Sequence, residues 1–318
     1  MPRPAFLFPG QGSQYVGMGQ DFYEADIRLK EIFDLAEEVT GLPIKRLCFQ
    51  GPMEELTETE NLQPAITAVN LCIFDALTEE GVAPEAVCGH SLGEYSALYA
   101  AGVLSASATF KAVRERGRLM QREARRHPGS MAAIIGLSVD KLQELVAPLT
   151  AEGPIALANF NTPEQIVISG APELVAKASE LAKAAGGRAV PLKVSGAWHS
   201  PLMAGAVEDF AVFLETLTFH EPRVPVYLNA TARPEADPDL LREAMAKQLI
   251  NPVRFCDLIL NLKAAGVDTW VEVGPGKVLT GLVRKILPRE PADRFHNVGS
   301  LPALEAFVEF YRRERRKI

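Results

Sequence analysis

The chain has 318 residues, of which 47% are apolar, 23% charged and 7% aromatic, with 24 Gly and 23 Pro. These proportions exclude a disordered, collagen-like or coiled-coil protein and leave room for two structural units or one large core with an insertion. The net charge of -7, from 33 basic and 40 acidic side chains, argues against nucleic acid as a general partner, since that binding depends on Lys and Arg neutralising phosphates.

In chain order, residues 4–8 read as a buried strand running into the Gly-rich turn Pro9-Gly10-Gln11-Gly12-Ser13-Gln14, after which a helical pattern continues to about residue 38. A second helix fits 64–80, closed by Gly81. Val87 and Cys88 end a short strand before Gly89-His90-Ser91-Leu92-Gly93, and residues 94–101 and 106–126 are helical in pattern. Between residues 127 and 196 the rhythm becomes strand 131–136, helix 140–149, strands 155–159 and 165–169, helix 173–185 and strand 189–194. That order, βαββαβ, is ferredoxin-like. Strand candidates at 224–228 and 269–273, with helices at 240–249 and 254–265, resume the earlier alternation, and a last strand is expected after His296. Strands alternating with helices imply a mostly parallel sheet. The expected organisation is therefore an α/β core of residues 1–127 and 197–318, interrupted by a small unit at 128–196.

Cys48, Cys72, Cys88 and Cys256 lie far apart without a CxxC pair, which reads as reduced, buried thiols in a cytoplasmic protein. The apolar stretch 5–8 is too brief for a signal-peptide core and no apolar run reaches the roughly 18 residues of a membrane span. No metal site is expected, because neither H-E-x-x-H nor a Cys/His cluster occurs. The run from Gly10 lacks the third glycine of G-x-G-x-x-G. Gly274-Pro275-Gly276-Lys277 lacks both the first Walker glycine and the Ser/Thr after lysine.

The G-x-S-x-G match at 89–93 carries the chemistry, because a sharp bend between strand and helix pushes a serine hydroxyl out above the sheet edge. The helix start also aims unpaired N–H groups at that point, so the N–H of Leu92 can stabilise an oxyanion. The alternative is a Gly-rich helix start merely capped by Ser91. A serine nucleophile needs a base, and of the five histidines His199 lies on a loop between a strand and the helix start Ser200-Pro201, whereas His90 is expected to project elsewhere. Spacing alone leaves His199 between a base and a structural residue. In the 106–126 helix, Arg114, Arg118, Arg122, Arg125 and Arg126 share a solvated face, while Arg116 falls with Ala112, Val113, Leu119 and Met120. A guanidinium on an apolar stripe has to find an anion, either a buried partner such as Glu123 or a substrate carboxylate.

Six blocks in order, Phe8-Pro9-Gly10-Gln11-Gly12-Ser13-Gln14, Gln63-Pro64-Ala65, Gly89-His90-Ser91-Leu92-Gly93-Glu94-Tyr95, Asn159-Phe160-Asn161, Val194-Ser195-Gly196-Ala197-Trp198-His199 and Val273-Gly274-Pro275-Gly276, make the chain resemble the malonyl-CoA:acyl carrier protein transacylase family over nearly its whole length. The resemblance implies an α/β-hydrolase-like core with a ferredoxin-like insertion. It also implies that Ser91 attacks malonyl-CoA, that His199 takes its proton, and that the malonyl-serine is then passed to the phosphopantetheine thiol of acyl carrier protein, with no bound cofactor. By the same resemblance Gln11 and Leu92 supply the oxyanion hole, the main-chain carbonyl of Gln248 orients His199, and Arg116 pairs with the malonyl carboxylate. Gln63 and Asn159 are pocket candidates. Where malonyl-selective members often carry Ala-Phe-His, this chain has Ala197-Trp198-His199, so the larger ring of Trp198 is expected to crowd the acyl α-carbon and favour malonyl over methylmalonyl. Residues 111–126 hold seven basic and two acidic side chains, a local charge of +5, so Arg114, Arg118, Arg122 or Arg126 is expected to dock the acidic carrier protein, unless they form only a solubilising face.

Fatty acid synthesis is the expected destination of the malonyl group. A discrete acyltransferase of a polyketide pathway would use identical chemistry. A serine acyl hydrolase or thioesterase would share the elbow but have no need of Arg116, and a non-catalytic binding module would have no need of both Ser91 and His199.

Overall fold

The computed structural model describes residues 2–288 and 290–317. Its strands, in chain order, are β1 (Pro4–Phe8), β2 (Ala86–Gly89), β3 (Ser130–Ile135), β4 (Ile155–Thr162), β5 (Gln165–Gly170), β6 (Arg188–Pro191), β7 (Val226–Tyr227), β8 (Pro234–Glu235), β9 (Thr269–Val273) and β10 (Arg294–Val298). They form two sheets. The larger has the order β10-β9-β1-β2-β7-β8 and is parallel except for β8, which returns antiparallel to β7. Every residue of β1, β2 and β9 is buried, as expected of central parallel strands covered by helices on both faces. The smaller sheet, β4-β5-β3-β6, is wholly antiparallel and has the strand order of a ferredoxin-like βαββαβ unit. Helices Val139–Val146 and Pro172–Ala184 cover it, with Leu142, Val146, Leu174, Val175 and Ala178 packed on Ile134, Ile166 and Ile168.

The α/β architecture with a mostly parallel sheet and an inserted antiparallel sheet agrees with the sequence reading; several boundaries differ. The helical pattern expected up to residue 38 breaks at Asp26, whose carboxylate caps helix Ile27–Thr40 by accepting the Arg28 N–H at 2.9 Å. The helix expected from Pro64 begins a turn earlier, at Thr59. Pro64 has no N–H for the carbonyl of Glu60, and that oxygen instead meets the Arg114 guanidinium at 3.4 Å. His296 stands within the last strand rather than before it, and helices Val207–Glu215, Val278–Ile286 and Leu301–Arg315 complete the layers. Among the described residues no helix is long and apolar enough to cross a membrane, and all four cysteines are unpaired and buried.

Candidate active site

At the C-terminal end of β2 the chain turns through Gly89-His90-Ser91-Leu92 into helix Gly93–Ala100, and Ser91 takes φ 51°, in the left-handed region that a side chain rarely adopts. The two glycines of the turn are dictated by contact. A Cβ on Gly93 would lie 1.9 Å from the carbonyl oxygen of Phe8, and one on Gly89 would lie 2.0 Å from the backbone of Gly93. Asn229, just beyond β7, secures the bend: its Oδ1 accepts the Ser91 N–H at 2.7 Å and its Nδ2 donates to the Gly89 carbonyl at 2.7 Å.

His199 also has a positive φ, 56°, and its ring is buried against this elbow. Its Nε2 lies 2.7 Å from Ser91 Oγ, while Nδ1 lies 3.0 Å from the carbonyl oxygens of both Gln248 and Asn251. Carbonyl oxygens only accept, so Nδ1 carries the proton and Nε2 turns its lone pair to the hydroxyl. Burial, and next the charge of Arg116, push the imidazole down to about 3, against the opposing pull of the two carbonyls. His199 is therefore a neutral acceptor at ordinary pH.

The guanidinium of Arg116 approaches the same hydroxyl from helix Ala106–Arg126, with Nη2 donating to Ser91 Oγ at 3.2 Å. It is 1% exposed, and its remaining contacts are neutral: Nε donates to Gln248 Oε1 at 3.0 Å, Nη1 donates to Gln63 Oε1 at 2.9 Å, and the group lies 5.6 Å from the centre of the Tyr95 ring. Among the described residues it has no carboxylate within salt-bridge distance. Glu123, the partner considered from the sequence, is taken by Arg122 and Arg126. The cation is thus held by two amide oxygens and a hydroxyl, all neutral, an arrangement that leaves its charge without a contacting anion.

These groups open into a cavity of about 270 Å³ between the two sheets. Gln11, Ser91, Leu92, Arg116, Trp198 and His199 line it from the larger unit, and Met131, Asn159, Asn161 and Val167 from the smaller. Among the described residues the N–H groups of Gln11 and Leu92 meet no backbone acceptor. Asn159 lies at the cavity wall and Trp198 is 5% exposed, its ring folded over Gly196, where a Cβ would come within 2.6 Å of it. Gln63 stands behind Arg116 rather than at the wall, its Nε2 turned to Met120 Sδ at 3.2 Å.

One placement departs from the sequence reading. His90, expected to project elsewhere, lines the same cavity, with Nε2 2.8 Å from Asn161 Oδ1. The arginines expected to dock a partner are each engaged within the chain: Arg114 with Glu60, Arg118 with Glu115, Arg122 with Glu123 and Asp209, and Arg126 with Glu123. The sequence reading missed Asn229 and Asn251 altogether, and no spacing marks them, because their partners lie 138 and 52 residues away in the chain. Glu94 lies within the block Gly89–Tyr95, where nothing local assigns it a role.

Residues 5–318 match the acyl transferase domain family. The malonyl CoA-acyl carrier protein transacylase of Bacillus subtilis is 44% identical over 288 residues, 90% of this chain and 91% of that protein, and that of Staphylococcus aureus is 41% identical over 90% and 93%. The acyl carrier protein S-malonyltransferase of Vibrio cholerae superposes with a TM-score of 0.91 at 39% identity, covering 96% of this chain and 99% of that one. The malonyl CoA-acyl carrier protein transacylase of Clostridium perfringens gives 0.93 at 36% identity, with 98% of each chain covered. A malonyl-transacylase solved in complex with its type II PKS acyl-carrier protein gives 0.92 at 37% identity, over 97% and 99%. With an acyl transferase match across almost every residue and curated relatives above 40% identity, the chain belongs to the malonyl CoA-acyl carrier protein transacylase family.

Proposed function

We propose that this protein transfers the malonyl group of malonyl-CoA to the phosphopantetheine thiol of acyl carrier protein through a malonyl ester of Ser91, supplying fatty acid synthesis in the cytoplasm. The observation that carries the reading is one hydroxyl bracketed by a neutral imidazole 2.7 Å away and a guanidinium 3.2 Å away that, among the described residues, no carboxylate contacts. In the first half-reaction His199 Nε2 takes the hydroxyl proton as Oγ bonds to the thioester carbon. The N–H groups of Gln11 and Leu92 hold the resulting oxyanion, and the carbon–sulfur bond then breaks, with His199 returning its proton to the departing coenzyme A thiolate. The second half repeats these steps in reverse with the carrier thiol as nucleophile. The main-chain carbonyl of Gln248 orients His199, so no third carboxylate is needed.

Arg116 takes the free carboxylate of the malonyl group, which sets this site apart from that of a general acyl hydrolase. Gln63 holds the guanidinium from behind, and Asn159 offers a polar group at the cavity wall. Trp198 crowds the acyl α-carbon and favours malonyl over methylmalonyl. No bound cofactor takes part in these steps. The unpaired cysteines support a reducing compartment, and we take residues 128–196 as a separate small unit because, among the described residues, its antiparallel sheet shares no strand with the larger one and meets the larger unit's backbone through the isolated Asn159–Val253 bridge.

For the carrier protein, Arg114, Arg118, Arg122 and Arg126 present a weaker field than their number suggests, since each already faces a carboxylate. Arg125 has no carboxylate partner among the described residues and lines a surface cavity that shares Gln11 and Val194 with the active-site cavity. We place the docking charge there. The experiment that tests the core reading is intact-mass analysis after mixing with malonyl-CoA: the protein should gain one malonyl group, and Ser91→Ala should gain none.

A further inference from the structure

Glu94 opens the helix that follows the elbow and is 1% exposed, behind the active site rather than in its cavity. Burial pushes its carboxyl up to about 7, and the Arg116 charge is among the influences drawing it back. The two groups do not touch. Between them lies the side-chain amide of Gln248, whose Nε2 donates both to Glu94 Oε2 and to the Ser91 carbonyl at 2.9 Å, and whose Oε1 accepts Arg116 Nε at 3.0 Å. The other oxygen of Glu94 accepts the backbone N–H of Asn229 at 2.7 Å, and Asn229 is the residue that secures Ser91.

The arrangement fixes the polarity of the amide. An NH₂ group faces the two acceptors, so the oxygen has to face the guanidinium; a flipped amide would set oxygen against oxygen and NH₂ against N–H. We propose that Glu94 is a positioning residue that locks the Gln248 amide in this orientation and so aims the Arg116 guanidinium into the cavity beside Ser91. The carboxylate also supplies the counter-charge that keeps a buried cation tolerable without occupying the face that a substrate carboxylate needs. Direct contact between Glu94 and Arg116 would close that face. This inference rests on the reading of Arg116 as the receptor for the malonyl carboxylate.

Glu94→Gln tests it, because the new amide keeps the shape but brings an NH₂ toward either the Gln248 NH₂ or the Asn229 N–H. Malonyl and acetyl transfer to acyl carrier protein are measured in parallel for wild type, Glu94→Gln, Arg116→Ala and the double variant. The expected result is a fall of about tenfold or more in malonyl kcat/KM, mainly through KM, against less than about threefold for acetyl, with no further loss of malonyl preference when Arg116 is already Ala. An equal fall for both acyl groups, or an undiminished effect in the Arg116→Ala background, overturns the proposal. A wild type without malonyl preference would instead overturn the reading of Arg116. Should Glu94→Gln fail to fold, Gln248→Met decides on the same split: it removes the linking amide and leaves the main-chain carbonyl on His199. Unequal loss supports the relay, and equal loss overturns it.

Discussion

Replacing Arg116 by Ala separates selection of the acyl group from the chemistry of its transfer. The guanidinium has five N–H donors, and three are engaged, by Gln248 at 3.0 Å, Gln63 at 2.9 Å and Ser91 at 3.2 Å. One donor on each terminal nitrogen remains for an incoming carboxylate. Charge-assisted hydrogen bonds contribute about 1.5–3 kcal/mol each, and a charge stranded in a buried site costs about 3–5 kcal/mol. At about 1.4 kcal/mol per factor of ten, malonyl kcat/KM should fall on the order of 10²- to 10⁴-fold. Acetyl-CoA brings no carboxylate, and its transfer should be retained or raised. The assay is transfer of each acyl group to carrier protein with the same preparation, so the ratio of the two rates is independent of how much of the variant is folded. That control matters because the substitution also strands the amide oxygens of Gln63 and Gln248, at about 1–3 kcal/mol each. Equal loss of malonyl and acetyl transfer would refute the reasoning and make Arg116 a structural residue.

Trp198→Ala should raise methylmalonyl transfer relative to malonyl, since the ring lines the cavity at 5% exposure, and an unchanged ratio would refute the steric account. Because His199 is pushed down to about 3, its basic form persists as pH falls and is lost only on approaching that value. The acid limb of Ser91 acylation, read by stopped-flow release of coenzyme A, should therefore lie well below the ordinary imidazole value of about 6.5. Arg125→Glu should lower kcat/KM for carrier protein several-fold at low salt and less at high salt, while leaving acylation by malonyl-CoA in place; equal rates at both salt concentrations would remove the docking role. Asn229→Ala frees the Ser91 N–H and the Gly89 carbonyl, and should depress acylation with malonyl-CoA and acetyl-CoA alike, with a lower Tm by calorimetry.

What the sequence determined by itself was local. A run of apolar residues ending in Gly89-His90-Ser91-Leu92-Gly93 encodes a strand, a bend and a helix start within a dozen residues, because chain stiffness and glycine conformations act over that range. The order βαββαβ and the parallel sheet are likewise encoded by periodicity. Arg116 announced itself by breaking the polarity of its own helix, yet whether it met Glu123 or a ligand was open. Only the tertiary structure gives Glu123 to Arg122 and Arg126 and leaves Arg116 among amides. The pairing of Ser91 with His199, the hold of Asn229 on Ser91 and the link of Glu94 to Gln248 join residues 108 to 154 positions apart. Such contacts are set by how the layers stack, and a hydrogen bond between distant residues leaves no period or composition in the chain to be read.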